Sequence, residues 1–383
     1  EECTVLKISK KKIWKLLSFT LQRKGVKMDK AAFLQVAVVG LTQGECHLSE
    51  YLASGLTKRI AICDTDENRL NTIGDKYRIP LDARYTSYEK MLLQEKPMAV
   101  SIVTPNGLHK TMVLRALQSG AHVLVEKPMA ISAAEAEIMC RAAKSAKKIL
   151  SINFNQRFEQ PVLEAKRLFE ENKIGEIYFV ATHWHRRRGV PWWYPLERAQ
   201  EMCGGGAVID LGVHVLDRAL FICGYPEFIE VTGMTCLGVS EEEALKRNIS
   251  HFSVEDFGAA MLRTKNGALF ELESSWAANR EDECIETRIY GTKGGILLKN
   301  SLSSPGHSEY RAFLSEKGEV VDYELCGISK NEKKDNVHAA FLRSVAFGEK
   351  PVCRAEDGLE LCRITDAIYE SSLQRKSIVM NRS

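Results

Sequence analysis

The sequence predicts an α/β fold in the first part of the chain and an α+β fold in the second. Between residues 34 and 125, apolar runs rich in Val and Ile alternate with helical patterns. Such runs are typical of strands that are buried on both faces of a parallel sheet. Beyond about residue 150, strand patterns follow one another without helices between them, which favours an antiparallel or mixed sheet. We therefore expect a doubly wound parallel sheet followed by an open, mostly antiparallel sheet with helices.

The elements of the first part are short and strongly patterned. A helix is predicted around His47–Ser54, and strands are predicted at Leu34–Val39, Lys58–Cys63, Met98–Val103 and His122–Val125. Ligands of doubly wound sheets bind outside the carboxyl ends of the strands. Residues that directly follow these runs are therefore the first candidates for a binding site.

The second part begins with helices predicted at about 159–172 and 211–223, on either side of a strand at Glu176–His183. Further strands are expected at Glu227–Cys236, Asp256–Arg263, Ala268–Trp276, Glu283–Tyr290 and Gly295–Leu298, and closing helices at Asn336–Phe347 and Ala355–Leu373. Glycine-containing pairs such as Asn266-Gly267 mark hairpin turns. The charged segment Glu241–Arg247 is expected to face solvent.

A chain of 383 residues is expected to form two domains. We place the first domain at 28–150 and the second, for substrate binding and oligomerisation, at 151–383. Residues 1–27 hold eight basic and two acidic side chains, a balance of +6, so the remainder carries about −3 of the net +3. The basic pI thus reflects one end segment, which argues against a nucleic-acid partner.

The basic segment 1–27 has two interpretations. Its apolar stretch Ile13–Leu21 is short and is broken by Lys15, so it is a poor membrane span. The codons of 24–28 could contain a ribosome-binding stretch, and one hypothesis is therefore that Met28 is the natural first residue. The alternative is a basic surface tail.

The chain has eleven cysteines, an odd number, and no C-x-x-C pair. Several of them, among them Cys63, Cys140 and Cys223, lie inside apolar runs, where a reduced thiol behaves as a small apolar side chain. This usage favours a reducing compartment over a disulfide framework, and we expect a cytoplasmic protein.

The loop Gly40-Leu-Thr42-Gln-Gly44-Glu45 lies where the first strand meets its helix. Backbone N–H groups at a helix N-terminus can hold a pyrophosphate, as in Rossmann-type domains. Thr42 and Glu45 stand where that fingerprint has its second and third glycines, so Gly44 is expected to supply the close approach and Glu45 must turn outward. An ordinary strand–turn–helix is the alternative.

Asp64 ends the second predicted strand. A carboxylate at this position can accept hydrogen bonds from both ribose hydroxyls and repels a 2′-phosphate, which favours NAD over NADP. The alternative is that Asp64 only caps the helix that begins near Asp66.

Two further groups carry acid–base chemistry. The tripeptide Glu126-Lys127-Pro128 directly follows the strand His122–Val125, so the Lys127 ammonium is expected to point into the ligand crevice, where it can stabilise an alkoxide. On a helix, Asp210 and His214 are neighbours at i, i+4, and a carboxylate beside an imidazole raises its basicity. The alternative for this pair is a core histidine and a helix cap.

Four motifs occur in order: Thr104-Pro-Asn-Gly-Leu-His109, Glu126-Lys-Pro128, Asn155-Gln-Arg-Phe158 and Gly204-Gly-Gly…Asp210…His214…Asp217. Together with the ending 355–372, they resemble the glucose–fructose oxidoreductase/inositol dehydrogenase/MocA (Gfo/Idh/MocA) family over about 34–380. The resemblance implies an NAD-dependent oxidoreductase that acts on a sugar or polyol and forms homodimers or homotetramers. The glycine loop departs from the family pattern.

The resemblance and the residue patterns together define the candidate site. Catalytic roles are expected for Lys127, Asp210 and His214. Cofactor contacts are expected from Gly40, Thr42, Gly44, Asp64, Thr104, Pro105, Asn106, His109, Glu126, Lys127 and Pro128. Substrate contacts are expected from Arg157, His185, Arg186, Trp192, Trp193, Asp210 and His214.

In the expected reaction, His214 removes the hydroxyl proton, Asp210 stabilises the imidazolium and Lys127 stabilises the alkoxide, although Lys127 and His214 can exchange roles. No metal is predicted, because His183 and His185 share one face of a strand but have no evident third ligand. The arginines that follow His185 bind a substrate anion or form a solvated rim.

Two other functions stay open. One is an enzyme whose tightly bound NAD is used transiently, for a net epimerisation, elimination or glycoside cleavage. The other is a dinucleotide-binding regulator without activity, which would have no need of Lys127, Asp210 and His214 together.

Overall fold

The computed structural model describes residues 33–192, 196–249, 251–301, 308–325 and 335–380. The first layer is a parallel sheet of order β3-β2-β1-β4-β5-β6. Its strands are β1 Leu34–Val39, β2 Thr57–Cys63, β3 Arg84–Tyr85, β4 Ala99–Ile102, β5 His122–Val125 and β6 Leu150–Ile152. Its helices are α1 Leu41–Ser54, α2 Glu67–Lys76, α3 Tyr88–Glu95, α4 His109–Gln118 and α5 Ala133–Ala146, with 3₁₀ turns at Leu81–Ala83 and Asn106–Leu108.

This strand order confirms the doubly wound fold. After β1 the chain adds β2 and β3 on one side of β1, whereas β4, β5 and β6 lie on its other side. This switch in strand order opens a crevice at the carboxyl ends of β1 and β4. The short strands β3 and β6 are not evident in the sequence pattern. Because β6 ends at Ile152, the first sheet runs slightly beyond the expected domain end at 150.

The second layer is a sheet of order β14-β13-β12-β11-β7-β10-β9-β8-β15. Its strands are β7 Ile177–His185, β8 Phe228–Cys236, β9 Phe257–Thr264, β10 Leu269–Ser275, β11 Cys284–Gly291, β12 Gly294–Ser301, β13 Glu309–Glu316, β14 Glu319–Glu324 and β15 Ile378–Val379. Within the described residues, β7 and β10 are its one parallel pair. The expected open, mostly antiparallel sheet is thereby confirmed.

The helices of the second part are α6 Gln160–Glu170, α7 Ala199–Cys203, α8 Val213–Ile222, α9 Ser240–Lys246, α10 Val337–Phe347 and α11 Ala355–Gln374. Shorter turns are 3₁₀ at Asn155–Phe158 and Leu196–Arg198, and a π turn at Val208–Gly212. The charged segment that was expected to face solvent forms α9, and most of its residues are exposed. Exposed ion pairs one turn apart support it, with Lys246 2.6 Å from Glu242.

Helix α8 packs across one face of the second sheet. The Thr182 hydroxyl on β7 donates to the Val215 carbonyl at 3.1 Å, and Arg218 donates to the Thr287 hydroxyl on β11 at 2.7 Å. Side chains alternate along a strand, so His183 and His185 lie on the opposite face, which we call the open face. No helix in the described part of the chain is both long enough and apolar enough to cross a membrane.

The C-terminal helices return to the first layer. The Asn336 side chain, which caps α10, donates to Glu50 on α1 at 2.8 Å. The Ala133 backbone N–H at the start of α5 donates to Asp366 on α11 at 2.8 Å. These contacts connect the C-terminal helices to two helices of the first part of the chain.

Candidate active site

The glycine loop is built as a helix N-terminus at the crevice. Gly40 has φ 83°, and a Cβ there would collide with the Val103 carbonyl, so glycine is required. Helix α1 begins at the next residue, which places the backbone N–H groups of its first turn at the carboxyl end of β1. Thr42 is exposed in the first turn of this helix.

Two side chains of this loop differ in role. Glu45 turns outward, as the fingerprint requires, and its carboxylate lies 2.6 Å from Lys76 Nζ and 3.0 Å from the Tyr77 hydroxyl. Gly44 does not face the ligand side as expected. It is buried, and its Cβ position lies 3.0 Å from Val38, so its small size serves the packing of α1 on the sheet.

Asp64 lies beside the start of α1. Its carboxylate accepts hydrogen bonds from the Leu41 N–H at 2.8 Å and the Asp66 N–H at 2.9 Å, and Arg69 Nη1 lies 3.2 Å away. The cap of α2 is Asp66, which accepts from the Arg69 N–H. The alternative that Asp64 only caps α2 is therefore wrong, and its carboxylate lies at the end of β2 beside the start of α1.

The motif 104–109 holds the loop after β4 against its neighbours. The Pro105 carbonyl accepts from the Leu108 N–H at 2.9 Å, which closes the 3₁₀ turn. The Asn106 amide donates to the Cys203 carbonyl of the second part at 3.1 Å. Thr104 is partly buried at the crevice, and its hydroxyl contacts Met112.

His109 has a different place from the one expected. It is fully buried, and its ring nitrogens lie 2.8 Å from the Thr104 carbonyl and 3.0 Å from the Pro128 carbonyl. With both nitrogens occupied, it braces the loops after β4 and β5 and has no free polar atom for a cofactor.

Glu126 follows β5 and is held as a carboxylate. His47 Nε2 lies 2.9 Å and Asn153 Nδ2 2.5 Å from its Oε1, and the Lys127 N–H donates to Oε2 at 3.0 Å. Burial opposes ionisation, but His47 and Asn153 lower the pKa of Glu126 to about 2. His47 and Asn153 are functional candidates that the sequence reasoning missed, since neither belongs to a motif quoted above.

Lys127 reaches from the first part of the chain to the second. Its Nζ donates to Asp210 Oδ1 at 2.9 Å and to the Asp210 carbonyl at 3.0 Å. The Trp276 indole N–H donates to the other carboxylate oxygen at 2.8 Å. Despite burial, Lys127 and Trp276 lower the pKa of Asp210 to about 2, so an anion faces the Lys127 ammonium.

His214 lies beside this pair. Its Nδ1 is buried and has no hydrogen-bond partner among the described residues, and its ring centroid is 5.5 Å from that of Trp184. Burial and the charge of Lys127 lower the pKa of His214 to about 3. Asp210 acts in the expected direction, because its charge raises the pKa of His214, but burial and Lys127 outweigh it.

The backbone that carries Asp210 is a π turn that continues into α8 at Val213. The Glu255 carboxylate holds its start and accepts from the Gly206 N–H at 3.0 Å, the Val208 N–H at 2.9 Å and the Tyr369 hydroxyl at 2.9 Å. A Cβ on Gly206 would collide with the Glu255 carbonyl. The glycine run thus lets Glu255 approach the turn, a role that its position in the sequence does not signal.

The expected substrate residues divide into two groups. Arg186 lies near the centre, where its charge lowers the pKa values of Asp210 and His214, and it also contacts Glu283 at 3.2 Å. Trp192 packs against Phe252 in the apolar cluster that includes Trp276. Trp193 lies outside the described residues.

Two residues expected to bind substrate lie elsewhere. Arg157 is 1% exposed and forms ion pairs with Asp217 and Asp357, at 2.5 and 2.8 Å, so no part of it faces the crevice. His185 lies on the open face, between Arg280 and Glu273. Strand alternation instead directs its neighbour Trp184 toward His214.

The crevice, its helix N-terminus and the Lys127–Asp210 pair beside His214 define a dinucleotide-dependent oxidoreductase. Residues 34–154 match the family model "Oxidoreductase family, NAD-binding Rossmann fold", and residues 162–297 match "GFO/IDH/MocA C-terminal domain". The chain therefore belongs to the Gfo/Idh/MocA family of oxidoreductases.

Similar proteins agree with this assignment. The D-glucoside 3-dehydrogenase of Escherichia coli is 28% identical over 88% of this chain and 95% of its own length. The myo-inositol 2-dehydrogenase of Thermotoga maritima is 25% identical over 90% of this chain and 98% of its own. Among solved structures, a levoglucosan dehydrogenase in complex with NADH has a TM-score of 0.78 at 21% identity, covering 91% of this chain and all of that one.

Proposed function

We propose that the chain is an NAD-dependent dehydrogenase that transfers a hydride between a nicotinamide and a CH–OH group of a sugar, an inositol or a related polyol. The observation that carries this proposal is the Lys127 ammonium bound to Asp210 beside His214. The names of the relatives, a glucoside and an inositol dehydrogenase, support the substrate class.

A bound nicotinamide supplies the hydride acceptor or donor. The substrate hydroxyl lies between Lys127 Nζ and the His214 ring. His214 is neutral and accepts the hydroxyl proton, while the Lys127 ammonium donates a hydrogen bond to the developing alkoxide. Asp210 orients Lys127 and, as the imidazolium forms, stabilises it by charge.

Steady-state kinetics test these roles. We expect Lys127→Met to lower kcat by roughly 10²–10⁴ with a verified substrate, given the usual contribution of acid–base groups. The matched control is Lys90→Met, an exposed lysine on α3. Turnover equal to that of the control would remove Lys127 from the mechanism.

The substrate screen pairs inositols, hexoses, glucosides and their keto forms with NAD(H) and NADP(H). Dehydrogenation gives one reduced nicotinamide per product. Conversion of substrate with no net formation of reduced nicotinamide would instead support an enzyme whose tightly bound NAD is used transiently in a redox-neutral reaction.

The residues at the crevice fit a dinucleotide. The start of α1 at Gly40 suits the pyrophosphate, and Asp64 suits the ribose hydroxyls of the adenosine half. We propose NAD over NADP, because the Asp64 carboxylate repels a 2′-phosphate. Some relatives are named for NADP, so the choice needs its own test.

The test replaces Asp64 with Asn, which retains an oxygen for the Leu41 N–H but removes the charge. Arg69 then lacks one of its two carboxylate partners. We expect the ratio of kcat/KM for NADP to that for NAD to rise about tenfold, or about 1.4 kcal/mol. Asp66→Asn is the control, and a ratio unchanged in Asp64→Asn would contradict the assignment.

We also propose a cytoplasmic homodimer or homotetramer that forms through the open face. Met234 and Met261, on β8 and β9, are 67% and 41% exposed there, and exposed apolar patches mark interaction surfaces. Light scattering after size exclusion should show a smaller species for Met234→Glu but not for Leu373→Glu on α11. A monomeric wild-type protein would contradict the proposal.

A further inference from the structure

Three side chains that bind metals in other proteins converge on the open face of the second sheet. Strands β7 and β11 are antiparallel neighbours, with Glu286 opposite His183 and Cys284 opposite His185. A ligand atom of His183, the Cys284 sulfur and a Glu286 oxygen all lie within 4.8 Å of one another. Because these residues are far apart in the chain, the sequence alone does not bring them together.

The three ligand atoms are not committed to other contacts. His183 has no hydrogen-bond partner in the described part of the chain, and Cys284 is a free, buried thiol. One Glu286 oxygen lies 2.8 Å from Arg288 Nε, which leaves the other oxygen for a ligand. A carboxylate held in this way is oriented as the ligands of metal sites usually are.

The neighbouring His185 fixes the orientation of His183. The two rings stack with centroids 4.9 Å apart and planes 14° apart. His185 Nδ1 lies 2.7 Å from Arg280 Nη1, and its Nε2 lies 3.0 Å from a Glu273 carboxylate oxygen. His183 is therefore the imidazole of this pair that is available to a metal.

The donor set selects the kind of metal. Imidazole nitrogen, thiolate sulfur and carboxylate oxygen together suit Zn²⁺, whereas Mg²⁺ and Ca²⁺ prefer oxygen ligands alone. Ligand atoms around a tetrahedral zinc are roughly 3–4 Å apart, so rotations that move them by about 1 Å are sufficient. Three protein ligands leave the fourth position to water.

The surrounding charges are compatible with a divalent cation that binds to a thiolate. Zinc with one thiolate and one carboxylate is formally neutral. Burial and the neighbouring Glu286 raise the pKa of the Cys284 thiol, and Arg280 and Lys299 offset only part of this, so zinc binding would displace the thiol proton. Glu273, next to His183, offsets part of their positive charge.

We propose that His183, Cys284 and Glu286 form a Zn²⁺ site that links strands β7 and β11 on the open face. The site is separate from the catalytic centre, because Trp184, between His183 and His185, points to the opposite face toward His214. Its role is structural: the metal joins two neighbouring strands, one of which carries Trp184 to the crevice.

Cobalt titration tests the site without reference to activity. The full-length protein is stripped of metal with a chelator and titrated with Co²⁺, and its near-ultraviolet absorbance is followed. We expect one equivalent per chain with a thiolate-to-cobalt charge-transfer band that Zn²⁺ abolishes. Cys284→Ser should remove the band, and His183→Gln and Glu286→Gln should each weaken binding at least tenfold.

The matched control is Cys236→Ser. Cys236 is an exposed thiol on β8 of the same face, and its removal should leave the band and the stoichiometry unchanged. Mass spectrometry of the native protein and a Zn²⁺-dependent rise in Tm, absent in His183→Gln, provide a second readout. Binding below one equivalent, or a band that persists in Cys284→Ser, would overturn the proposal.

Discussion

Replacing Arg157 with Met separates a structural role from a substrate-binding role. The guanidinium is 1% exposed and lies between two carboxylates, and the Asp217 and Asp357 side chains are 2% and 4% exposed. Asp217 is on α8, the helix that carries His214, and Asp357 is on α11. We expect the variant to lose stability and to retain its affinity for substrate.

The magnitude follows from the contacts that are lost. Arg157 donates to Asp217 through Nε and Nη2, to Asp357 and the Val352 carbonyl through Nη1, and to the Tyr225 hydroxyl. Removal of one partner of a buried ion pair costs about 3–5 kcal/mol, because a charge remains buried without its counter-ion. Asp217 loses its counter-ion, whereas Asp357 keeps its ion pair with Arg354, so we expect a loss within that range.

Urea unfolding followed by tryptophan fluorescence measures the loss, and kinetics well below the unfolding transition measure KM. The control is Arg141→Met, an exposed arginine with one helical ion pair at 3.5 Å, for which we expect a change of at most about 0.5 kcal/mol. If Arg157→Met has control-like stability but a raised KM, then Arg157 contacts substrate and the argument from burial is wrong.

Three further predictions concern the centre. The pKa of Glu126 in the folded protein is about 2 against an ordinary 4.5, so its ionisation stabilises the protein above pH 4.5, and this contribution is lost as the pH falls toward 2. Glu126→Gln should therefore flatten the curve of unfolding free energy against pH by about 3 kcal/mol across that window, measured by urea unfolding at each pH. An unchanged curve would contradict the pKa shift. Glu255→Gln should lower kcat while leaving the Kd for NADH, measured by fluorescence, unchanged, because its contacts hold the π turn; an equal loss of cofactor affinity would contradict a positioning role. Trp276→Phe removes one hydrogen bond to Asp210 and should lower kcat/KM roughly fivefold, about 1 kcal/mol, whereas unchanged kcat/KM would show that this bond does not hold the carboxylate.

The sequence predicted the parts of the site that follow directly from strand ends. Asp64 directly follows β2, and Lys127 lies two residues after β5. Parallel strands bring their carboxyl ends to one edge of the sheet. The contact between Lys127 and Asp210 was expected only from the combination of motifs, and the structure places these two residues within 2.9 Å.

The errors arose where a polar residue has a buried partner far away in the chain. Histidine and arginine are common in active sites, but the partners of His109 and Arg157 are carbonyl groups and carboxylates on other elements. His185 was misplaced for a different reason. Alternation puts it on one face of β7 but does not say which face is open, and α8 decides that.

The position of the Asp210 carboxylate depends on residues at one end of the β9–β10 hairpin. Glu255 lies two residues before the hairpin and holds the start of the π turn, and Trp276 directly follows the hairpin and holds the Asp210 carboxylate. Both residues are at the same end of two paired strands, where the backbone N–H of Trp276 donates to the Asp256 carbonyl at 2.9 Å. Since Lys127 makes both of its hydrogen bonds to Asp210, the hairpin of the second domain sets the position of the ammonium from the first.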